Sequence, residues 1–257
     1  MWQLFLLVGV VGALIGSFLN VCIYRLPRHE SIAWPGSHCP ACSKPIAWYD
    51  NVPIFGYVML AGRCRACSIR IPLHYPVVEA LNAAGYLAVL WYFGPTVEAA
   101  VYAVLFSALL VVAGTDLSHK IIPNAVTFPG IIIGLMCAAT VLPLGLWNGV
   151  IGLVVGGGLL WLLAWASPYL FGKEGMGGGD IKLLAMIGAF LGWKLALMTI
   201  MLGSLVGSVV GVSLMAAHVL KREDYIPFGP FLVLGAIVSL FFGTAILEWY
   251  QGLLTGS

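Results

Sequence analysis

Eight stretches of predominantly apolar sequence constrain this chain more than any other feature. They cover residues 1–24, 77–93, 97–115, 125–143, 147–170, 181–191, 195–219 and 230–250, separated by charged residues or by Pro and Gly. A bilayer-spanning helix needs about 20 mostly apolar residues, within a range of about 17–25. Seven of the eight runs satisfy that; the sixth, 181–191, is too short and reads as a short, tilted or re-entrant helix. The expected fold class is an all-α polytopic membrane protein with seven to eight transmembrane helices. Composition points the same way: 61% of residues are hydrophobic and 9% charged, where a soluble domain has about 45–50% and about 25%. Disorder, a disulfide-rich secreted scaffold and a nucleic-acid binder are excluded on those numbers, and a net charge of +2 identifies no partner.

Lys and Arg collect on the cytoplasmic side of membrane proteins. With the N-terminus outside and eight crossings, 11 of the 12 basic residues fall inside, and only Lys194 is left outside. With seven crossings the Lys221-Arg222 loop would face outward, so eight fits better. The first apolar run has no preceding basic residue and no small-residue cleavage site, and its charges follow it. It is expected to be a retained helix and not a cleaved signal peptide. The domain organisation read from this is a first transmembrane helix at 1–24, a cytoplasmic tetracysteine loop domain at 25–76 and a membrane-embedded domain at 77–257.

The loop carries Cys39-Pro40-Ala41-Cys42 and Cys64-Arg65-Ala66-Cys67, with 21 residues between the pairs. Two CxxC pairs so spaced suit a structural zinc ion held by Cys39, Cys42, Cys64 and Cys67. A loop of about fifty residues buries little core, so a metal staple meets a physical need. Two disulfides are disfavoured in a reducing compartment; redox dithiols or unligated thiols remain as alternatives. Four thiolates leave no open coordination position, so the metal would be structural. Lys44, Arg63 and Arg65 would offset the thiolate charge, and Cys22 and Cys137 read as packing residues inside apolar helices.

Two of the four aspartates stand at helix ends where a carboxylate is costly. Asp116 closes the third run, in Gly114-Thr115-Asp116-Leu117-Ser118-His119-Lys120-Ile121-Ile122-Pro123-Asn124, and Asp180 opens the sixth, after Gly177-Gly178-Gly179. Both fall at the inner face in the topology above and can meet. Two carboxyls about 3 Å apart in an apolar site share a proton, so one can serve as general base toward water and the other as general acid. That is aspartyl-protease chemistry. Glycines at 177 and 179 would let a peptide backbone approach. The bland alternative is that each aspartate caps a helix or pairs with Lys120 or Lys182. Ser17, Asn20 and Tyr24 share a face of the first helix and either line a groove or join helices. Glu79 is expected to pair with a buried partner such as Arg25 or Arg70, or else to take part in substrate or methyl-donor binding. His119 reads as a loop residue, and Glu223 and Asp224 as a solvated face.

With these residues in place, the chain resembles the prepilin peptidase family, GxGD-type membrane aspartyl proteases of type IV pilus and type II secretion systems. The likeness is carried by Gly16-Ser17-Phe18-Leu19-Asn20-Val21-Cys22-Ile23-Tyr24-Arg25-Leu26-Pro27, the double CxxC loop, Pro76-Val77-Val78-Glu79-Ala80, the Asp116 motif, Gly172 to Leu183 with the GxGD at Gly177–Asp180, and Lys221 to Phe231. The resemblance implies that Asp116 and Asp180 are catalytic. It implies removal of the basic leader of prepilins or pseudopilins at the cytoplasmic face of the bacterial inner membrane. It further implies N-methylation of the new N-terminal residue with S-adenosylmethionine as methyl donor. His74 stands where the family pattern leads one to expect Arg. Two rival readings are a transporter or channel with a carboxylate ion path and a regulatory zinc loop, and a membrane thiol oxidoreductase.

Overall fold

The computed structural model describes residues 2–171, 177–219 and 226–255. Among them there is no β-strand, only two isolated bridges, His38 with Pro45 and Arg63 with Arg70. Eight α-helices follow in chain order: α1 Trp2–Arg25, α2 Phe55–Met59, α3 His74–Phe93, α4 Val97–His119, α5 Asn124–Thr140, α6 Gly145–Phe171, α7 Gly178–Ala216 and α8 Gly229–Thr255. Five helical stretches are long and apolar enough to cross a membrane: Trp2–Arg28, Val97–His119, Gly145–Tyr169, Gly178–Ala216 and Gly229–Leu253. A shorter apolar helix, Asn124–Thr140, joins them. The protein is a multi-pass membrane protein built from helices. The chain divides into two compact units, Met1–Val111 and Val112–Ser257.

In the first unit α1 packs on α3. Small residues permit the approach: a Cβ on Gly16 would lie 2.7 Å from the Glu79 Cα. With no water in a bilayer core, polar side chains there must satisfy one another. Asn82 does so by donating from Nδ2 to the Gly12 carbonyl at 2.7 Å, and its Oδ1 accepts from the Ser107 hydroxyl at 2.9 Å. Tyr86 Oη closes the chain on Ser107 Oγ at 3.0 Å. These bonds join α1, α3 and the first part of α4 through buried groups.

The second unit centres on the first half of α7. Residues 183–192 are buried without interruption, the pattern of a helix enclosed by neighbours and apolar all round. This explains the short sixth run: an enclosed helix needs no full lipid-facing length. Gly192 interrupts α7 with φ 78° and ψ 172°, a backbone conformation that glycine alone adopts freely. The break separates 178–191 from 193–216, as the sequence runs 181–191 and 195–219 anticipate. Gly188 crosses Gly152 of α6 so closely that a Cβ on it would clash with the Gly152 carbonyl oxygen, far inside van der Waals contact.

Candidate active site

Asp116 lies in the last turn of α4, where the helix macrodipole opposes a carboxylate. Directly after it the helix ends: the Lys120 N–H returns to the Asp116 carbonyl at 2.8 Å with Lys120 in the left-handed region at φ 55°. The chain then runs to Pro123, whose fixed φ suits the entry to α5. Asp180 is the third residue of α7, counted from Gly178, with Gly177 as its cap. The Asp180 carboxylate accepts the Gly177 N–H, the acid half of a capping box.

The two motifs meet. Gly179 packs on Ile122, so that a Cβ there would lie 2.9 Å from the Ile122 Cβ, and Lys182 Nζ donates to Asn124 Oδ1 at 2.6 Å. Asp116 and Asp180 are 3% and 4% exposed, and Asp180 feels the charge of Asp116. Lys182 thus serves Asn124 instead of an aspartate. Each carboxyl does cap a helix, as the alternative has it, and Asp180 caps its own.

Asp116 caps a different one. Its Oδ2 accepts the N–H of Gly229, the first residue of α8, at 3.0 Å. Pro230 has no N–H to offer, and the Phe231 N–H is taken by the Phe228 carbonyl. Gly229 therefore supplies a first-turn donor that needs an acceptor. A Cβ on Gly229 would lie 2.5 Å from Asp116 Oδ2. Sequence reasoning passed over this glycine as part of a loop match. Its one visible signal is its position before Pro230 at the start of an apolar run.

In the other unit the four loop cysteines converge, their sulfurs all within 4.8 Å of one another and Cys39 Sγ 3.8 Å from Cys67 Sγ. Four sulfurs at about 2.3 Å from one tetrahedral ion stand about 3.8 Å apart, so the cluster fits zinc. The sulfurs are free thiols and not disulfides. Each pair sits in the same turn. The Cys39 N–H reaches the Lys44 carbonyl and the Ser43 N–H the Cys39 carbonyl; Cys64 with Ile69, and Ser68 with Cys64, repeat the pattern. Ser43 and Ser68 both have φ 57°. The N–H groups of Cys42 and Ala41 pull the Cys39 thiol down to about 7. At Cys67 the Ile69 N–H lowers the pKa, but burial and the other three thiols prevail and push it up to about 11. Four thiolates together thus call for a cation.

Comparisons with known proteins follow this geometry. The pattern described as the bacterial peptidase A24 N-terminal domain matches residues 10–93, which hold all four cysteines, and that of the type IV leader peptidase family matches 103–212, which hold both aspartates. A prepilin leader peptidase/N-methyltransferase of Pseudomonas putida is 36% identical over 266 residues, covering 93% of this chain and 91% of its own length. The chain belongs to the type IV leader peptidase family. Proteins of the same name from Pseudomonas aeruginosa (35% identical; 94% of this chain, 91% of the relative) and Xanthomonas campestris pv. campestris (36%; 93% and 92%) agree. No solved structure matches the chain. Kinship with leader peptidases does not favour the transporter reading.

The remaining expectations for this leader peptidase relative divide. Ser17 and Asn20 join helices: Ser17 hydrogen-bonds Glu79, and Asn20 Nδ2 donates to the Tyr75 carbonyl at 3.0 Å. Tyr24 is exposed and lies under the Arg28 guanidinium, 3.9 Å from ring centre to carbon. Glu79 does not take Arg25, whose guanidinium donates to the carbonyls of Ser31, Pro35 and Gly36. Its Oε2 instead accepts the Ile54 N–H at 2.7 Å. Arg65 is engaged by Asp50 through two bonds of 2.8 and 2.6 Å, which hold the Asp50 carboxyl below the usual carboxylate range. His74 stacks on Tyr75 with ring centroids 4.4 Å apart. His119 is half-buried, and its Nδ1 has no partner among the described residues. Gly172 to Met176 of the GxGD stretch, and Lys221, Arg222, Glu223 and Asp224, lie outside the described residues.

Proposed function

We propose that this protein is a membrane aspartyl endopeptidase that removes the basic leader of type IV prepilins or pseudopilins. After cleavage it methylates the new N-terminal amine with S-adenosylmethionine. The peptidase reading is supported by the buried pair Asp116 and Asp180, from two distant motifs, with Asp180 within electrostatic reach of Asp116. The pair shares one proton. The ionised carboxyl takes a proton from water as that water attacks the scissile carbonyl, and the protonated one donates to the carbonyl oxygen. The Gly177 and Gly229 N–H groups hold the carboxyls in place. Gly177 keeps a side chain away from the Asp180 carboxyl, and Gly179 leaves the room that Ile122 takes between the two motifs.

The methyl transfer rests on kinship with the prepilin leader peptidase/N-methyltransferases. Zinc held by Cys39, Cys42, Cys64 and Cys67 would fix the loop between α1 and α3 without taking part in the chemistry. In this reading the protein crosses the bacterial inner membrane up to eight times: α1, α3, α4, α5, α6, the two halves of α7, and α8. The N-terminus is outside, and the aspartates face the cytoplasm. Residues 1–24 are the first span, 25–76 the zinc loop and 77–257 the peptidase domain.

The test is mass spectrometry of a prepilin incubated with wild type, Asp116→Ala or Asp180→Ala protein, with and without the methyl donor. Leader loss with wild type alone, plus one methyl group when donor is present, is expected. Cleavage by either variant would overturn the dyad. Leader loss without methylation would strike only the second activity.

A further inference from the structure

The 48 residues between α1 and α3 hang from one end of a helix pair. Arg25 ends α1 and His74 begins α3, and the Asn20–Tyr75 bond ties the two helices at that level. At the opposite end stand Trp2, at the start of α1, and Trp91, near the end of α3, both exposed. The 24 residues of α1 make a helix about 36 Å long, against a hydrocarbon core of about 30 Å. Tryptophans gather at membrane–water interfaces. If Trp2 and Trp91 mark one interface, the loop is rooted in the other.

Part of the loop reaches below its roots. The Ile54 N–H is bonded to Glu79, five residues into α3 and so about 7 Å down the helix from His74. Ile54 itself is held at φ 63°, ψ −51°, with the Phe55 N–H returning to the Pro53 carbonyl at 2.6 Å. This γ-turn is strained for a β-branched residue, and it starts α2. The Glu79 bond therefore sets the start of α2 at the depth of the apolar part of α3. Gly56 of α2 is buried, but Phe55, Val58 and Met59 are exposed, the last two at 66% and 67%. Trp48, seven residues earlier than Phe55, is 82% exposed. A water-facing segment this small does not leave such side chains bare without a partner.

Charge selects the partner. The segment holds five Lys or Arg residues, Arg28, Lys44, Arg63, Arg65 and Arg70, against two acids, Glu30 and Asp50, and Asp50 is bound by Arg65. A zinc tetrathiolate would add two negative charges beside Lys44, Arg63 and Arg65; the uncompensated cations are then Arg28, stacked on Tyr24 at the end of α1, and exposed Arg70. A basic peptide such as a pilin leader finds little to bind here. Anionic lipid headgroups do.

We propose that the tetracysteine segment is a membrane-docking module: α2 inserts Phe55, Val58 and Met59 into the anionic leaflet at the depth of Glu79, with Trp48 at headgroup level. The zinc cluster then holds a lipid-bound surface in shape instead of a solvated domain.

Photo-crosslinking tests this. A benzophenone side chain is placed singly at Val58, at Met59 and, as a water-facing control, at exposed Glu30 of the full-length protein. Each protein is reconstituted in vesicles of phosphatidylethanolamine with phosphatidylglycerol, or of phosphatidylcholine alone. After irradiation, mass spectrometry identifies the adducts, and bound zinc, measured on the same samples, reports the fold of the loop. Lipid adducts at 58 and 59, scarce at 30 and more abundant with phosphatidylglycerol, are expected. Crosslinks to residues 112–257, or to a second copy of the chain, would overturn the proposal, as would zinc-loaded protein without adducts. Equal yields in both lipids would overturn the anionic assignment. No step reads peptide cleavage, so failure here leaves the peptidase reading intact, and the reverse.

Discussion

Replacing Gly229 by Ala is a one-methyl change whose effect follows from a single contact. The added Cβ would stand 2.5 Å from Asp116 Oδ2, whereas ordinary contact begins at 3.4 Å. The carboxyl or the start of α8 must retreat by about 0.9 Å, and the 3.0 Å bond from the Gly229 N–H is lost or stretched beyond use. A hydrogen bond to a charged group contributes about 1.5–3 kcal/mol, and a displacement of about 1 Å near reacting atoms costs about 100-fold in rate. Both routes lead to a fall in kcat of about 100-fold, equivalent to about 2.7 kcal/mol. Gly229 has no positive φ, so Ala is not strained in the backbone and the helix should form. The assay is leader cleavage from a prepilin, with kcat and KM measured separately, beside methyl transfer to a peptide that already has the mature N-terminus. We expect kcat to fall, KM to change little and methyl transfer to persist. Cleavage within threefold of wild type would show that the Asp116–Gly229 contact does not position the dyad. Equal loss of both activities would point to a folding defect instead.

Asp116→Asn and Asp180→Asn keep shape while removing the titratable carboxyl, so each should abolish leader cleavage and spare methylation of a pre-cleaved peptide; the same mass-spectrometric assay reads both. Chelation of zinc, or Cys64→Ser, should loosen residues 26–73, raising protease sensitivity there while leaving the helical circular dichroism of the bundle. Gly188→Val should prevent α6 and α7 from packing, because even a Cβ has no room against Gly152; overpacking typically costs about 1–3 kcal/mol and a backbone clash more, read as loss of folded protein in detergent. Glu79→Ala removes the acceptor of the Ile54 N–H, and a hydrogen bond to a charged group contributes about 1.5–3 kcal/mol, less here because the bond is only part-buried. Proteolysis within 50–60 should accelerate without loss of leader cleavage.

What the sequence makes legible here is what local chemistry decides. Apolar run lengths locate helices because a bilayer leaves the backbone no other option, and Gly192 stands where the sixth and seventh runs divide. The cysteine spacing locates a metal-sized cluster because each CxxC turn is a local structure. Glu79 shows the limit. The rule that a buried charge needs an opposite one points to a cation, but a backbone N–H at Ile54 meets the need and no sequence pattern advertises it. The fit of Tyr24 to a helix-joining face failed for a similar reason: periodicity tells which residues share a side of α1, and not where along α1 the partner helix ends.

Gly229 shows the same limit at the centre of the site and gives it a physical sense. An apolar bundle can hold two carboxyl groups only if each receives donors, and the donors that every helix has to spare are its first N–H groups. Asp180 takes one from the cap of its own helix. Asp116 sits at the end of α4 where no donor is spare, so it must borrow one, and α8 delivers it from 113 residues away. The requirement was readable at Asp116; the address was not, because it depends on how α8 enters the unit. Any chain that places an acid at the C-terminal end of a buried helix incurs the same debt. A glycine followed by proline at the start of a later helix is one economical way to meet it: the glycine clears the approach, and the proline leaves its N–H as a first-turn donor without a competitor next to it.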